Sequence, residues 1–168
     1  MGTRLQFVQV YAADQAKIRS MVTDDEYITE RAKATGALTV THTRTAMPDG
    51  SVDLVIVRTL PADMPSYARS FVGETLTITE HQVWLPRDDP QGSARFDVRF
   101  SAPLTFTGMV AMGSDGTTTS VTTSGEIKAS IPFVGGKIEA LALEQTERYL
   151  RKEQEFADGW LARGGIVA

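Results

Sequence analysis

Two polar side chains that could take part in acid–base chemistry, Glu80 and Gln82, lie in a segment with the alternation of a β-strand. They share an alternation frame with the apolar residues of that segment, Leu76, Ile78 and Trp84. Side chains two positions apart on a strand point to the same face, so both polar residues are expected to point inward. The alternatives are that the strand end emerges into solvent or that a bulge reverses the frame.

Arg58 is the candidate partner of Glu80. An unpaired buried carboxylate is energetically costly, so an inward Glu80 needs a partner. Arg58 shares a frame with Val52, Leu54 and Ile56 in a neighbouring strand pattern. If no bulge intervenes and Glu80 points inward, Arg58 is therefore a candidate for the other half of a buried ion pair.

His42 and His81 are the two histidines of the chain. Each lies in a strand pattern with no second ligand at metal spacing, and neither shows the local pattern of a nucleophile–base pair. We interpret both as surface or cavity-wall residues. The chain has no cysteine, which excludes disulfides, thiolate metal sites and a cysteine nucleophile. We expect no metal ion and no other cofactor.

Three further groups match functional motifs only in part. Gly135-Gly136-Lys137 lacks the earlier Gly and the following Ser or Thr of a phosphate-binding loop, so it is interpreted as a flexible helix entry. Helix capping explains Asp24-Asp25-Glu26, and a solvated helix face explains Glu153 and Glu155. No second motif supports a paired-carboxylate hydrolase.

The composition excludes several classes of protein. The chain has 168 residues and a net charge of −4, and its Lys and Arg residues are scattered, whereas a nucleic-acid-binding protein usually carries a basic face. No stretch approaches the ~20 apolar residues of a membrane span. Residues 1–10 lack the pattern of a signal peptide. We expect one cytoplasmic domain, residues 1–168, with no nucleic-acid binding and no integral membrane association.

The elements that must position these residues begin with a strand and two short helices. Residues 4–11 carry apolar side chains in both alternation frames, which predicts a strand buried on much of both faces. These side chains are Leu5 and Phe7 in one frame and Val8 and Val10 in the other. Asp14 is the expected cap of the first helix. Thr23 to Glu26 match a capping box for the second, which should run to about Ala34 before Gly36 ends it.

Six alternating segments separated by turns predict an antiparallel meander. They span residues 38–43, 52–57, 75–84, 95–101, 104–112 and 117–131. In the fourth segment, Phe96, Val98 and Phe100 are expected to point inward. The connection from Leu60 to Gly73 is too long for a hairpin turn. We expect a short helix there that plugs the open end of the sheet, as either a gate or a core lid.

The last predicted element is an amphipathic helix from Gly136 to Leu161. Its apolar stripe recurs at spacings of three and four and contains Ile138, Leu141, Ala142, Gln145, Tyr149, Phe156 and Trp160. Gln145 inside that stripe needs a partner, and we hypothesise that Gln145 and Tyr149 face a cavity. The alternatives are that Gln145 bonds a neighbouring backbone group, or that the helix is rotated so that its inner face is formed by Leu143, Leu150 and Leu161.

This order of elements resembles the START-like superfamily (SRPBCC, also called helix-grip, polyketide-cyclase or birch-allergen type) over nearly the whole chain. Residues 131–139, residues 59–65 and Trp84 are similar to an uncharacterised actinobacterial branch of unknown function. The resemblance implies an α+β helix-grip fold, in which a curved antiparallel sheet of about seven strands wraps a long C-terminal helix. It also implies an apolar cavity between the sheet and that helix.

We expect this cavity to bind a small apolar ligand, either lipid-like or polyketide-like. The expected ligand-binding residues are Tyr67, Phe71, Ile78, Glu80, Trp84, Phe96, Val98, Phe106, Gln145 and Tyr149. One alternative is a cyclase-like enzyme that uses Glu80, His42 or His81 as acid or base. Another is a protein-interaction module with a filled cavity. The sequence leaves open whether the chain forms a homodimer.

The acidic composition predicts that the protein is not retained on a DNA or RNA column at physiological salt, because it offers no basic footprint for phosphates. The measurement is the elution position at increasing salt concentrations. Retention that weakens steeply as salt rises would contradict the prediction.

Overall fold

The computed structural model describes residues 2–164, which form seven strands and four helices. The strands are β1 (Thr3–Tyr11), β2 (Thr39–Ala46), β3 (Val52–Pro61), β4 (Thr75–Trp84), β5 (Ala94–Phe100), β6 (Leu104–Ser114) and β7 (Thr119–Ala129). The helices are α1 (Gln15–Val22), α2 (Asp25–Ala34), α3 (Ser66–Val72) and α4 (Gly135–Ala162). The helix-grip prediction is confirmed.

The seven strands form one antiparallel sheet in the order β1-β7-β6-β5-β4-β3-β2. Strands β2 to β7 form a simple antiparallel meander. Strand β1 pairs with β7 and forms the edge of the sheet on that side. Helix α4 packs closely against β1 and β7, at one side of the curved sheet, and α2 packs between β2 and α4. This off-centre position of α4 leaves space over the inner face of the middle strands.

The prediction that β1 is buried on both faces is wrong. Leu5 and Gln9 are buried under α4, but Val8 and Val10 are 50% and 51% exposed on the outer face. An antiparallel sheet commonly has one face in solvent. The apolar outer residues of β1 therefore reflect the β-propensity of Val and not a second covering layer.

The two short helices have the predicted positions, but the cap of α2 differs. Asp14 caps α1 by accepting a hydrogen bond from the Lys17 backbone N–H at 2.8 Å, as predicted. The cap of α2 is Asp24, whose carboxylate accepts from the Tyr27 N–H at 2.9 Å. Thr23 instead ends α1, where its hydroxyl donates to the Arg19 carbonyl. The capping box is wrong because the preceding helix already uses the Thr23 side chain.

The last strand begins two residues later than predicted, at Thr119. Asp115 accepts hydrogen bonds from the backbone N–H groups of Thr117 and Thr118. An Asp side chain that bonds the following backbone forms a turn and removes those groups from the strand ladder. The turn therefore includes Thr117 and Thr118.

The inward frame of β5 is confirmed. Phe96 and Val98 are buried, and Phe100 packs against the same core. The Phe96 ring packs on that of Phe106 with their centroids 4.7 Å apart. Gly108 and Gly125 are paired across β6 and β7 beneath these rings, and a Cβ on Gly108 would lie 2.9 Å from the Phe96 ring. The absent side chains thus make room for the aromatic pair.

We expect Phe96→Ala to lower the free energy of unfolding by about 3 kcal/mol, because it removes the ring that packs against Phe106. This is the low end of the range for such changes, since the ring also borders open space. Arg95→Ala, on the outer face, should change stability by less than about 0.5 kcal/mol. Urea denaturation of both variants checks this, and equal losses would contradict the strand frame.

Candidate functional site

A cavity of about 480 Å³ lies between the inner face of the sheet, α4 and α3. Strands β4, β5 and β6 supply most of its apolar wall, and α4 supplies the opposite side. The apolar side chains of this wall include Leu76, Ile78, Phe96, Val98, Phe106 and Ala142. Apart from Ala142 of α4, these residues come from strands in which alternate side chains point inward, so the curved sheet places them on one surface.

The cavity reaches solvent between the α3 region and α4. Phe71 of α3 and Gln145 of α4 line it and are exposed, as are Arg148 and Lys152. The short helix predicted in the connection 60–73 is confirmed as α3, and it lies at the opening of the cavity. Both the gate and the core-lid interpretations stay open, because α3 also packs through the buried Ala68.

A chain of buried polar contacts crosses the inner face of β3 and β4. Arg58 Nη1 lies 3.3 Å from Glu80 Oε1, and Gln82 donates its amide to the other oxygen of Glu80. The indole N–H of Trp84 donates to the Gln82 oxygen at 2.8 Å. The β3–β4 register is continuous through Glu80, so no bulge intervenes. Of the two alternatives, the structure has the inward Glu80, paired with its candidate partner Arg58.

A second polar group joins α2, α4 and β1 beside the first. Arg31 Nη1 lies 3.4 Å from Glu153 Oε2, and both side chains are largely buried. Gln9 donates its amide to Glu153 Oε1 at 3.2 Å and to the Leu150 carbonyl at 2.9 Å. Arg31, Glu153 and Gln9 all line the cavity.

The local sequence patterns do not indicate this second group. Glu153 was assigned to a solvated helix face, and Arg31 follows no apolar stripe of its short helix. A weak signal was available in Gln9, which shares the inward frame of Leu5. The contact between Arg31 and Glu153 joins helices more than a hundred residues apart, and neither local pattern encodes it.

Burial and neighbouring charges set the protonation of the cluster. Burial would raise the pKa of Glu80, but Arg58, Arg31 and the Gln82 hydrogen bond together hold that pKa below its ordinary value. Burial raises the pKa of Tyr149, although Arg31 and Arg58 oppose the effect. At neutral pH Glu80 is therefore ionised and Tyr149 is protonated.

Arg31 also carries its positive charge at neutral pH. Burial lowers its pKa, but the neighbouring Tyr149, Glu153 and Glu80 more than offset that effect, so the pKa lies above its ordinary value. Arg31 is only 4% exposed and Arg58 only 6%. The wall of the cavity thus carries two buried cations that are matched by two carboxylates.

Four polar atoms in this wall have no hydrogen-bond partner within residues 2–164. They are Nε and Nη2 of Arg31, Nε of Arg58 and the hydroxyl of Tyr149. The Arg58 guanidinium lies over the Tyr149 ring, with its carbon 4.7 Å from the ring centroid, which is a cation–π contact. Buried polar groups in folded proteins nearly always have partners, so the residues that carry these atoms are candidates for the functional site.

Nine of the ten expected ligand-binding residues line the cavity, and Tyr67 does not. Tyr67 packs instead under Lys137, whose Nζ lies 4.0 Å from its ring centroid. Its side chain leaves the cavity wall because α3 directs Ala68, Phe71 and Val72 there. The ligand-binding role of the other nine residues stays a prediction.

Gln145 and Tyr149 both line the cavity, but in different ways. The Tyr149 hydroxyl is buried, whereas Gln145 is exposed at the opening and needs no buried partner. Leu150, from the alternative helix face, is buried in the core. The inner surface of α4 therefore combines both hypothesised faces, because a helix held against one side of a curved sheet is covered on a wide arc.

Neither histidine lines the cavity. His42 Nε2 lies 2.7 Å from Asp25 of α2, and His81 Nε2 lies 3.1 Å from Asp53 on the outer face. Within residues 2–164 no group of three potential ligands is placed to hold a metal ion. In the same part of the chain, no helix is long and apolar enough to cross a membrane.

We expect Glu80→Gln to lower the free energy of unfolding by about 3 kcal/mol at neutral pH, because Arg58 would stay buried without its carboxylate. The folded-state pKa of Glu80 lies below the ordinary value of 4.5. The ionised carboxylate of Glu80 therefore stabilises the fold at pH values above its ordinary pKa, and this contribution disappears as the pH falls through the folded-state pKa. Thermal denaturation from neutral to acidic pH should show the variant and the natural protein converging.

The matched control is Asp97→Asn, which removes the carboxylate of an exposed pair with Arg99 at 3.1 Å. Exposed pairs contribute little, so we expect a loss below about 1 kcal/mol. A Glu80→Gln defect that stays constant as the pH falls would contradict the assignment.

Solved structures with a similar fold include three proteins of low sequence identity. The Zhui aromatase/cyclase from Streptomyces sp. R1128 has a TM-score of 0.64 and 14% identity, covering 99% of this chain and 100% of that one. A START superfamily protein from Mycobacterium smegmatis has a TM-score of 0.63 and 13% identity, covering 94% and 98%. Norcoclaurine synthase from Thalictrum flavum, in complex with dopamine and hydroxybenzaldehyde, has a TM-score of 0.60 and 9% identity, covering 94% and 87%.

These similarities show that the fold is START-like, as the sequence resemblance implied. A search of curated proteins found no match. Residues 6–161 match a family model described as "Protein of unknown function (DUF2505)". Because the match spans nearly the whole chain, this protein is a member of the DUF2505 family.

Proposed function

We propose that this protein binds a small apolar ligand, lipid-like or polyketide-like, in the cavity between its sheet and α4. The observation that carries the proposal is the cavity itself, about 480 Å³ of space with a mostly apolar wall and a few buried polar side chains. Ligand pockets commonly have this volume and this composition.

The cavity argues against an interaction module with a filled core. Packed protein interiors leave few voids larger than a water molecule, so a space of this size is not ordinary packing. Each cavity of this kind lowers stability through lost contacts. A use for the space, such as a ligand, explains why the fold retains it.

Binding is also favoured over acid–base catalysis by the residues that were expected to act as acid or base. His42 and His81 lie outside the cavity, each beside an aspartate. Glu80 lies in the wall, but Arg58 and Gln82 occupy its two oxygens and keep its pKa low. A carboxylate held in this way is a weak base, whereas efficient general bases have a pKa near the working pH.

The proteins with a similar fold support small-molecule binding without identifying the ligand. Norcoclaurine synthase was solved with dopamine and hydroxybenzaldehyde, and the Zhui protein is an aromatase/cyclase. A shared fold supports many functions, so these proteins favour the class of site and not one reaction. A cyclase-like activity on the bound ligand is the second candidate.

The test is a titration with the neutral fluorescent probe N-phenyl-1-naphthylamine, together with native mass spectrometry for a co-purified small molecule. Ala142→Phe places a ring on the cavity side of α4 and should weaken probe binding by about tenfold or more, because it takes up ligand space. We expect saturable binding by the natural protein.

The matched control is Ala140→Phe, the same change two positions away on the exposed side of α4. It should leave probe affinity unchanged. Non-saturable binding by the natural protein, or equal loss in both variants, would refute the proposed function.

A further inference from the structure

The polar atoms of the cavity wall that lack partners are almost all donors. Both carboxylate oxygens of Glu80 have donors, from Arg58 and Gln82. The Gln82 oxygen accepts from Trp84. The two oxygens of Glu153 face Gln9 and Arg31. The carboxylates and the Gln82 carbonyl are therefore satisfied within the protein.

The unsatisfied atoms are three guanidinium nitrogens, two on Arg31 and one on Arg58, and the hydroxyl oxygen of Tyr149. A guanidinium nitrogen can only donate, and a hydroxyl can donate as well as accept. The group that complements this wall must therefore present an acceptor oxygen. A purely apolar molecule such as an alkane would leave all four atoms without partners, at a cost for each buried polar group.

The charges in the cavity wall also indicate whether the acceptor group of the ligand is neutral or ionised. The guanidinium groups of Arg31 and Arg58 are each paired with a carboxylate, and Tyr149 is protonated. The other charged residues that line the cavity, Asp63, Arg148 and Lys152, are exposed to solvent. A buried anion would add a charge with no free counter-charge, which is costly, whereas a neutral acceptor adds none.

We propose that the ligand carries an uncharged carbonyl oxygen on an apolar body, and that this oxygen is bound at the buried end of the cavity by Tyr149, Arg31 and Arg58. This inference rests on the proposed function and names the chemical class of its ligand. Ketones, aldehydes and esters belong to this class, whereas free fatty acids and plain hydrocarbons do not.

Three compounds of matched shape test the inference by displacing N-phenyl-1-naphthylamine. They are methyl undecyl ketone, dodecanoate and tridecane, which share an alkyl chain and differ in the end group. We expect the ketone to bind about tenfold more tightly than tridecane, since its oxygen satisfies donors that the alkane leaves unpaired. We also expect it to bind more tightly than dodecanoate at a mildly alkaline pH, where the acid is ionised.

Tyr149→Phe removes only the hydroxyl and keeps the ring that packs under Arg58. We expect it to weaken ketone binding by about fivefold while tridecane binding stays unchanged. Because the hydroxyl has no partner, its removal should not lower the melting temperature of the free protein. Tyr67→Phe is the matched control outside the cavity wall and should change none of these values.

The outcomes separate the two proposals. If the natural protein binds none of the three compounds, the proposed function fails, and this inference fails with it. If it binds ketone and tridecane equally, or dodecanoate most tightly, apolar binding stands and the neutral-carbonyl inference is overturned. Unchanged ketone affinity in Tyr149→Phe would also overturn it, since water would then be the partner of the hydroxyl.

Discussion

Two buried ion pairs constrain the whole interior of this protein. Arg58 and Glu80 join β3 to β4, and Arg31 and Glu153 join α2 to α4. Removing charges from water is costly, and pairing them recovers that cost only when further hydrogen bonds satisfy the remaining atoms. The two pairs link β3 to β4 and α2 to α4 at the border of one cavity, and the guanidinium atoms that they leave unsatisfied lie in the same two arginines. The apolar core on either side of them, including Leu150 and Trp160, packs where those elements meet.

The cavity follows from the position of α4. The helix packs closely on β1 and β7, at one side of a sheet that curves away from it toward β3 and β4. Tyr149 and Glu153 of α4 reach the charged cluster at the border of this space. Within residues 2–164, several donors of Arg31 and Arg58 have no acceptor there. The packing of these elements and the proposed binding of a ligand therefore depend on the same residues.

Much of the fold could be predicted because its signals are local. Strand β4 has the bounds that alternation predicts, and alternation also put Glu80 and Arg58 on the same face of the sheet. The register, in which Glu80 lies opposite Ile56 and diagonal to Arg58, was decided by the tertiary structure. One error, the capping box of α2, arose because a single side chain could serve two local structures. Thr23 satisfies the end of α1 and not the start of α2, and propensity alone cannot decide between these positions.

The sequence by itself determined the order of elements and the inward frames of β4 and β5, because periods of two and of three to four residues can be recognised among neighbouring positions. It offered Arg58 only as a candidate partner of Glu80. Only the tertiary structure decided which side of α4 meets the sheet, that Gln145 lies at the opening, and that Arg31, Gln9 and Glu153 converge. These contacts join residues that are far apart in the chain. They depend on the curvature of the sheet and on the position of α4 against it. The existence and volume of the cavity depend on the same geometry, because a cavity forms where distant elements of the fold do not pack against one another.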